Sequence, residues 1–404
     1  LEVDGPLRSS DYYIKGFLKA EKVNAMAKSP KPRMIFPRSP RYNLVVASRL
    51  KPFEHWLWGY LTGKRLFNGQ PSRIVAKGLN QRQRANLIVR KFRSIPGCVV
   101  FEVDGRAFEA HVDRWQLERG EHPVYHAAFP GDRELQSALG HQLLNAGVTA
   151  GGVKFSREGG RASGDFNTGM GNSLIMTAVV VATLKELGCR FDVLVDGDNA
   201  LVFLPPSVVS RVVEDFAATA LRISGHEMVL ENPVRVVEEV RFGQSAPVEL
   251  DSGWQMVRDW RKVLSQGTSN HAHMHDPRFV ESYLHGIALC ELSLAIGVPI
   301  IGRWADNLRK NTGRGRVVHA MYKDYEYLGV DLSRLGKAVF KEPSLAARLS
   351  FARAFNTPLE VQVAVEDSLI TPTFGLPWVV EDSPVAGDWW SARPGLCEPF
   401  FGYC

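Results

Sequence analysis

A chain of 404 residues with 45% hydrophobic and 23% charged side chains has the make-up of a globular protein with two or three domains' worth of core. No apolar run reaches the length that spans a bilayer as a helix, and the longest, Ile175 to Ala182, falls well short. The net charge of +6 conceals an asymmetry: residues 1–95 hold 20 Lys and Arg against 5 Asp and Glu, the remainder 29 against 38. So basic a segment suits a polyanion, nucleic acid first; the plainer alternative is a solvated lysine-rich surface. The five cysteines (98, 189, 290, 397, 404) are scattered, odd in number and without Cys-x-x-Cys spacing, which points to a reduced intracellular protein rather than a zinc site. The chain opens on Leu1 instead of Met and reads as a piece of a longer translation product.

Residues 8–30 predict a partly helical segment in which Lys15, Lys19 and Lys22 interleave with Tyr12, Tyr13, Phe17 and Leu18. The next stretch, Lys28 to Asn43, carries four prolines within eleven residues. Proline removes backbone donors and forbids a continuous helix, so this is an extended, stiff arm. Arg33, Arg38 and Arg41 on it could form bidentate contacts to phosphate, and Met34-Ile35-Phe36 between them look like strand residues packed on something.

Residues 43–67 predict an aromatic-rich helix and residues 77–93 a basic one. An apolar strand at 97–104 delivers Asp104 at its end. Residues 106–120 and 131–146 predict helices, and Gly147 to Gly160 an irregular glycine-rich stretch with a strand-like piece at Val153–Phe155. Small and hydroxyl or amide residues from Ser163 to Asn172 then run into a helix at about 171–187, where backbone can approach a ligand and the helix dipole favours anions. Phe191 to Phe203 reads as strand, tight acidic turn and strand, with Gly197-Asp198 at the turn. A helix at 207–222 and short strands within 226–248 follow. The chain beyond 252 is mostly helical, with a Pro/Trp-rich tail after 372. The alternating His271, His273 and His275 read as an exposed loop more readily than as metal ligands.

Asp104 and Asp198, each at a strand end, form a hard-oxygen pair suited to two magnesium ions if they meet in space. Asp196, two residues before Asp198, points to the same side of a strand; it either adds charge to the site or caps the turn.

The order of these segments resembles the fingers and palm of viral RNA-dependent RNA polymerases, nearest to those of tombusvirus-like positive-strand plant viruses. Residues 17–22 and 32–43 look like the fingertip motif, and Asp104 to Glu109 with His111-Val112 like motif A. Ser163-Gly164-Asp165-Phe166-Asn167-Thr168 with Gly171-Asn172 looks like motif B, Gly197-Asp198-Asn199 like motif C, and Phe242-Gly243-Gln244 with Pro247-Val248 like motif E. Two residues depart from the family pattern: Asn199 stands where the family usually has Asp, and Glu109 where motif A usually ends on a second Asp.

The resemblance implies an α+β right-hand polymerase whose antiparallel palm sheet is flanked by helices. Fingers would occupy 1–95 and 113–160, palm 96–112 and 161–250, and thumb and tail 251–404. The implied activity is RNA-directed RNA synthesis on a viral genome, with two Mg²⁺ (Mn²⁺ as a substitute) held by Asp104 and Asp198, and Asn199 beside them. Lys31, Arg33 and Arg38 would meet the nucleotide triphosphate; Glu109, Ser163, Thr168 and Asn172 the ribose; Gly164 and Arg41 the RNA. Template RNA, nascent RNA, ribonucleoside triphosphates and other viral replication proteins are the implied partners. The implied location is host-cell cytoplasm, at membrane-associated replication complexes reached through regions or partners not in this chain. A lysine that commonly protonates pyrophosphate is missing after the hairpin, where His226 is a weak candidate more simply read as a surface-turn histidine. A reverse transcriptase and a polymerase-like protein that only binds RNA are the rival readings.

Overall fold

The structure, a computed structural model, describes residues 5–19, 33–268, 277–312 and 317–369. It is an α+β protein with ten strands among the described residues: β1 Ile14–Leu18, β2 Met34–Ile35, β3 Val99–Gly105, β4 Leu144–Thr149, β5 Lys154–Glu158, β6 Asp192–Asp196, β7 Asn199–Leu204, β8 Met228–Leu230, β9 Ser245–Leu250 and β10 Gly253–Arg258. The chain divides into two units, residues 1–78 with 90–235 and residues 79–89 with 236–404.

The first unit is built on an antiparallel sheet in the order β6-β7-β3-β8. Its strands are runs of Val, Leu and Phe, and Val99, Val100, Phe101, Val193, Leu194, Val202 and Phe203 are all buried. Such continuous apolar runs mark strands covered on both faces. The cover includes the helices α1 (Pro40–Tyr60), α2 (Thr168–Glu186) and α3 (Val209–Ser224), which send Leu50, Met176, Val180, Val212 and Phe216 into the same core. Phe216 meets Phe101 edge to face, with centroids 6.0 Å apart. Burying such a side chain contributes about 2–3 kcal/mol. Ser39 caps α1 by accepting from the Tyr42 amide at 3.0 Å, and Pro40 follows at the first helical position, where its missing N–H costs nothing.

A second sheet in this unit has the order β2-β1-β4-β5, with β1 parallel to β4. Residues 14–18, expected in a partly helical segment, are therefore a strand. Ile14 and Gly16 are buried on one side of it, a period of two that a helix cannot satisfy. The expected helix over 131–146 is likewise cut short at Gly140, and Leu144 begins β4.

In the second unit β9 pairs with β10 as a hairpin. Trp260, Leu284, Leu292, Trp304 and Phe351 form its core with the helices that carry them. Pro247 and Val248 thus lie on the β9–β10 hairpin, and the break between units falls after Arg235. The His271–His275 loop and the tail after 372 lie outside the described residues.

Candidate active site

The β3–β7 ladder sets Asp104 opposite Asn199, and the β6–β7 ladder sets Asn199 opposite Asp196. Opposed residues of antiparallel strands share a face, so Asp196, Asn199 and Asp104 stand in a row across three strands. Asp198 lies in the two-residue loop beside them. Gly197 in that loop takes φ 67°, a left-handed conformation that glycine adopts without strain. The loop is held from two sides. The Gly105 amide donates to the Asp198 carbonyl at 3.2 Å, and the Gly197 amide donates to Ser173 Oγ, on α2, at 2.9 Å.

Asp104 and Asp198 thus come together as expected. Burial and then the negative charge of Asp198 raise the Asp104 carboxyl above its ordinary range. The same two causes raise Glu109, against relief from Arg161, Asn172 and Ser163. Asn199 Oδ1 is buried without a hydrogen-bond partner. Among the described residues no three His, Cys, Asp or Glu side chains are grouped closely enough to hold a metal ion on their own. Mg²⁺ is commonly bound by one or two carboxylates with water and substrate phosphates completing the shell, so two mutually repelling carboxylates beside an orphaned amide oxygen fit that ion. Asp196 is engaged elsewhere, with Lys77 Nζ 4.0 Å from its carboxylate.

Three of the four ribose candidates meet. Asn172 Nδ2 lies 3.5 Å from Glu109 Oε1, and Ser163 is near enough to the Glu109 carboxyl to help hold its pKa down. Thr168 turns inward, its hydroxyl donating to Asp165 O at 2.8 Å and Ala162 O at 3.1 Å. It closes the loop before α2 and does not join the other three.

The proline-rich arm runs against this loop: the Phe36 amide donates to the Ser163 carbonyl at 3.2 Å. Two expectations for it are corrected. Arg38 does not face an incoming triphosphate. It is 3% exposed, ion-paired with buried Asp165, and donates to His141 O and Asn145 Oδ1 at 2.7 Å each. Gly164 does not leave room for a template backbone either. A Cβ there would lie 2.8 Å from Pro37 backbone atoms, so the arm itself fills the space. Arg33 is exposed just before β2, its carbonyl accepting from the Lys19 amide at 2.8 Å. Half-buried Arg41 donates to the Gly5 carbonyl. Lys31 lies outside the described residues.

The sequence model of the family described as viral RNA dependent RNA polymerase matches residues 3–373. The chain belongs to that family. It is 32% identical to the RNA-directed RNA polymerase of Turnip crinkle virus over 379 residues, which is 90% of this chain and 46% of that protein. It is 31% identical to the RNA-directed RNA polymerase of Red clover necrotic mosaic virus over 376 residues, 90% of this chain and 47% of that one. The putative RNA-directed RNA polymerase of Barley yellow dwarf virus (isolate MAV) is 31% identical over 366 residues, 89% of this chain and 41% of that one. The chain spans less than half the length of each of these relatives.

In this polymerase-family chain His226 is no surface-turn histidine. It is fully buried, stacks on Phe108 with centroids 4.3 Å apart, and places Nε2 3.0 Å from Gln116 Oε1. Burial, with a smaller contribution from His111, lowers its pKa to about 4. At neutral pH the ring is therefore in its uncharged form, a poor acid for pyrophosphate.

Sequence reasoning missed the buried polar network behind the site. Arg161 is ion-paired with Glu121, Asn167 Nδ2 donates to Glu121 Oε1 at 2.8 Å, and Gln142 Nε2 donates to Asn167 Oδ1 at 2.8 Å. Glu121 lies 40 residues from Arg161 in sequence, and no local pattern marks such a pair. The one available signal was an arginine two residues before Ser163, in a segment made mostly of small and polar side chains.

Proposed function

We propose that this chain performs template-directed RNA synthesis: nucleotidyl transfer from ribonucleoside triphosphates to an RNA 3′-hydroxyl, as a viral RNA-dependent RNA polymerase. The observation that carries the reading is that Asp104 and Asp198 meet at strand ends beside Glu109, Ser163 and Asn172. The first unit would provide palm and fingers, and the helical part of the second the thumb.

Phosphoryl transfer needs charge compensation and in-line positioning more than covalent chemistry. Two bound Mg²⁺ would supply that compensation by lowering the pKa of the attacking hydroxyl and neutralising the triphosphate and leaving pyrophosphate. Asp104 and Asp198 would hold them, with the Asn199 amide oxygen as a further, weaker donor. Glu109 would accept from the ribose 2′-hydroxyl and Asn172 donate to it, so a sugar lacking that group leaves the two with only their weak contact to each other. Exposed Arg33 is the arm's remaining described candidate for the triphosphate, and Arg41 for RNA phosphates. Template bases choose the nucleotide, so the protein reads backbone and shape.

As a member of a viral replication machinery the chain would work with other viral proteins at cytoplasmic membranes. No helix among the described residues is long and apolar enough to cross one, so attachment would come through regions or partners not in this chain.

The test is incorporation of labelled nucleotide on a primed RNA template with Mg²⁺ or Mn²⁺, comparing ribo- with deoxyribonucleotides. Incorporation of ribonucleotides, abolished in Asp198→Ala, is expected. Preference for deoxyribonucleotides would make the chain a reverse transcriptase. RNA binding with wild type and variant equally inert would make it a binding protein, the reading that Asn199 in place of a carboxylate favours.

A further inference from the structure

Asn172 has a neighbour that decides which way round its amide lies. Arg161 Nε, a group that only donates, lies 3.0 Å from Asn172 Oδ1. The amide oxygen is therefore turned towards the arginine, and Nδ2 is left facing Glu109 Oε1 at 3.5 Å. That gap is at the outer limit of a hydrogen bond, so a ribose hydroxyl competes with a weak contact.

Arg161 is itself immobilised. It and Glu121 are buried, paired by two guanidinium–carboxylate hydrogen bonds. Glu121 also accepts from Tyr125 OH at 2.9 Å and from Asn167 Nδ2 at 2.8 Å. Burial acts to raise the Glu121 carboxyl, but the charge and hydrogen bonds of Arg161 outweigh it and hold the group below its ordinary range. The carboxylate stays ionised and the fork stays fixed.

The residue before Asn172 is shaped to the same pair. A Cβ on Gly171 would strike Arg161 Nη2 and Glu121 Oε1. Glycine inside a helix is otherwise unfavourable, by about 1 kcal/mol against alanine, so its presence here answers to the space the ion pair needs.

We infer that the Arg161–Glu121 pair is a positioning device for sugar selection: it locks the Asn172 amide with its N–H₂ towards the ribose, so that the 2′-hydroxyl accepts from Asn172 and donates to Glu109. This rests on the polymerase reading above. Arg161 touches no substrate in this scheme; it orients the sugar site through Asn172, and its positive charge, which also favours the ionised Glu109, is kept in Arg161→Lys. Without the fork the amide is held only by its long contact with Glu109 and loses its fixed angle towards the ribose.

The experiment measures kcat/KM for a ribonucleoside triphosphate and its 2′-deoxy counterpart on an RNA template. The proteins are wild type, Arg161→Lys, Gly171→Ala, Asn172→Ala, and each of the first two variants combined with Asn172→Ala. Lysine keeps the charge facing Glu121 but lacks the fork; alanine at 171 keeps every polar group and displaces the pair. The ribo/deoxy ratio should fall about fivefold to tenfold in either single variant, the size of one neutral hydrogen bond. Neither change should lower it further once Asn172 is alanine. A purely structural role moves both substrates together, so an unchanged ratio, or an additional fall in the double variants, overturns the inference. Should Arg161→Lys not fold, Gly171→Ala carries the test. A wild type that selects ribonucleotides while the variants keep its ratio removes only this inference; a wild type that incorporates none removes the polymerase reading itself.

Discussion

Asp104 and Asn199 stand directly opposite each other in the β3–β7 ladder, and the Asn199 amide oxygen is buried there without a partner. A carboxylate at 199 would add a negative charge to a cluster in which Asp198 already raises both Asp104 and Glu109. Asparagine keeps an oxygen in place without that repulsion. Asn199→Asp should therefore tighten Mg²⁺ by about 1 kcal/mol, roughly fivefold, and lower the melting temperature of the metal-free protein. Both are read from Mg²⁺ and Mn²⁺ titrations of activity and from thermal unfolding in chelator. Unchanged metal dependence would place residue 199 outside the metal's reach.

The same repulsion has a pH signature. Asp104 and Glu109 are raised above their ordinary 3.8 and 4.5 by burial first and Asp198 second. A carboxyl raised in the folded state binds more protons there than when unfolded. Its stabilising share is present below the unfolded pKa and is lost as pH rises through the folded one. Asp198→Asn relieves part of that loss. In chelator at pH 7 it should melt about 1–3 °C above wild type, the gain vanishing near pH 3, while synthesis is abolished. A variant less stable than wild type at pH 7 would contradict the electrostatic reading.

Arg38 distinguishes a buried brace from a substrate ligand. Removing one partner of a buried ion pair leaves the other charge uncompensated, at a cost of about 3–5 kcal/mol. Arg38→Ala should thus unfold at markedly lower denaturant. Arg33→Ala should leave stability nearly unchanged and raise the nucleotide KM. Exchange of these two phenotypes would mean the arm has been read backwards.

How much of this was legible in the sequence divides by range. Asp104, Asp198 and the glycine turn were legible because each sits at a strand end with its own local pattern, and apolar runs on both sides forced the strands. Arg38 was misread because a guanidinium in a proline-rich arm looks solvent-facing until Asp165 and Asn145, more than 100 residues on, close around it. Gly164 was assigned to the template when Pro37 occupies its space. The strand at 14–18 was hidden because its partner β4 is remote and its alternation spans only five residues. Tertiary partners decided all three, and no local propensity encodes them.

His226 gives a second pH test. Its pKa falls from 6.5 to about 4 through burial and then His111, with Asp113 opposing. The unfolded chain binds the extra proton, so this histidine's contribution is present above pH 6.5 and is lost as pH falls towards 4, by at most about 3 kcal/mol. His226→Phe, which keeps a ring on Phe108, should flatten the stability profile between pH 6.5 and 4 and leave the pH dependence of kcat near neutrality unchanged. A loss of the neutral-pH limb of kcat would restore His226 as the acid for pyrophosphate.

The most direct measurement is templated incorporation of ribonucleotides by the wild-type chain, by Asp104→Ala and by Asp198→Ala, each assayed in chelator and after Mg²⁺ or Mn²⁺ is added back, with RNA binding followed in parallel. The expected result is synthesis by wild type only when metal is present, none by either variant, and RNA binding retained by all three. Synthesis that survives in either variant, or that proceeds in chelator, would contradict the assignment of Asp104 and Asp198 as the metal-holding pair.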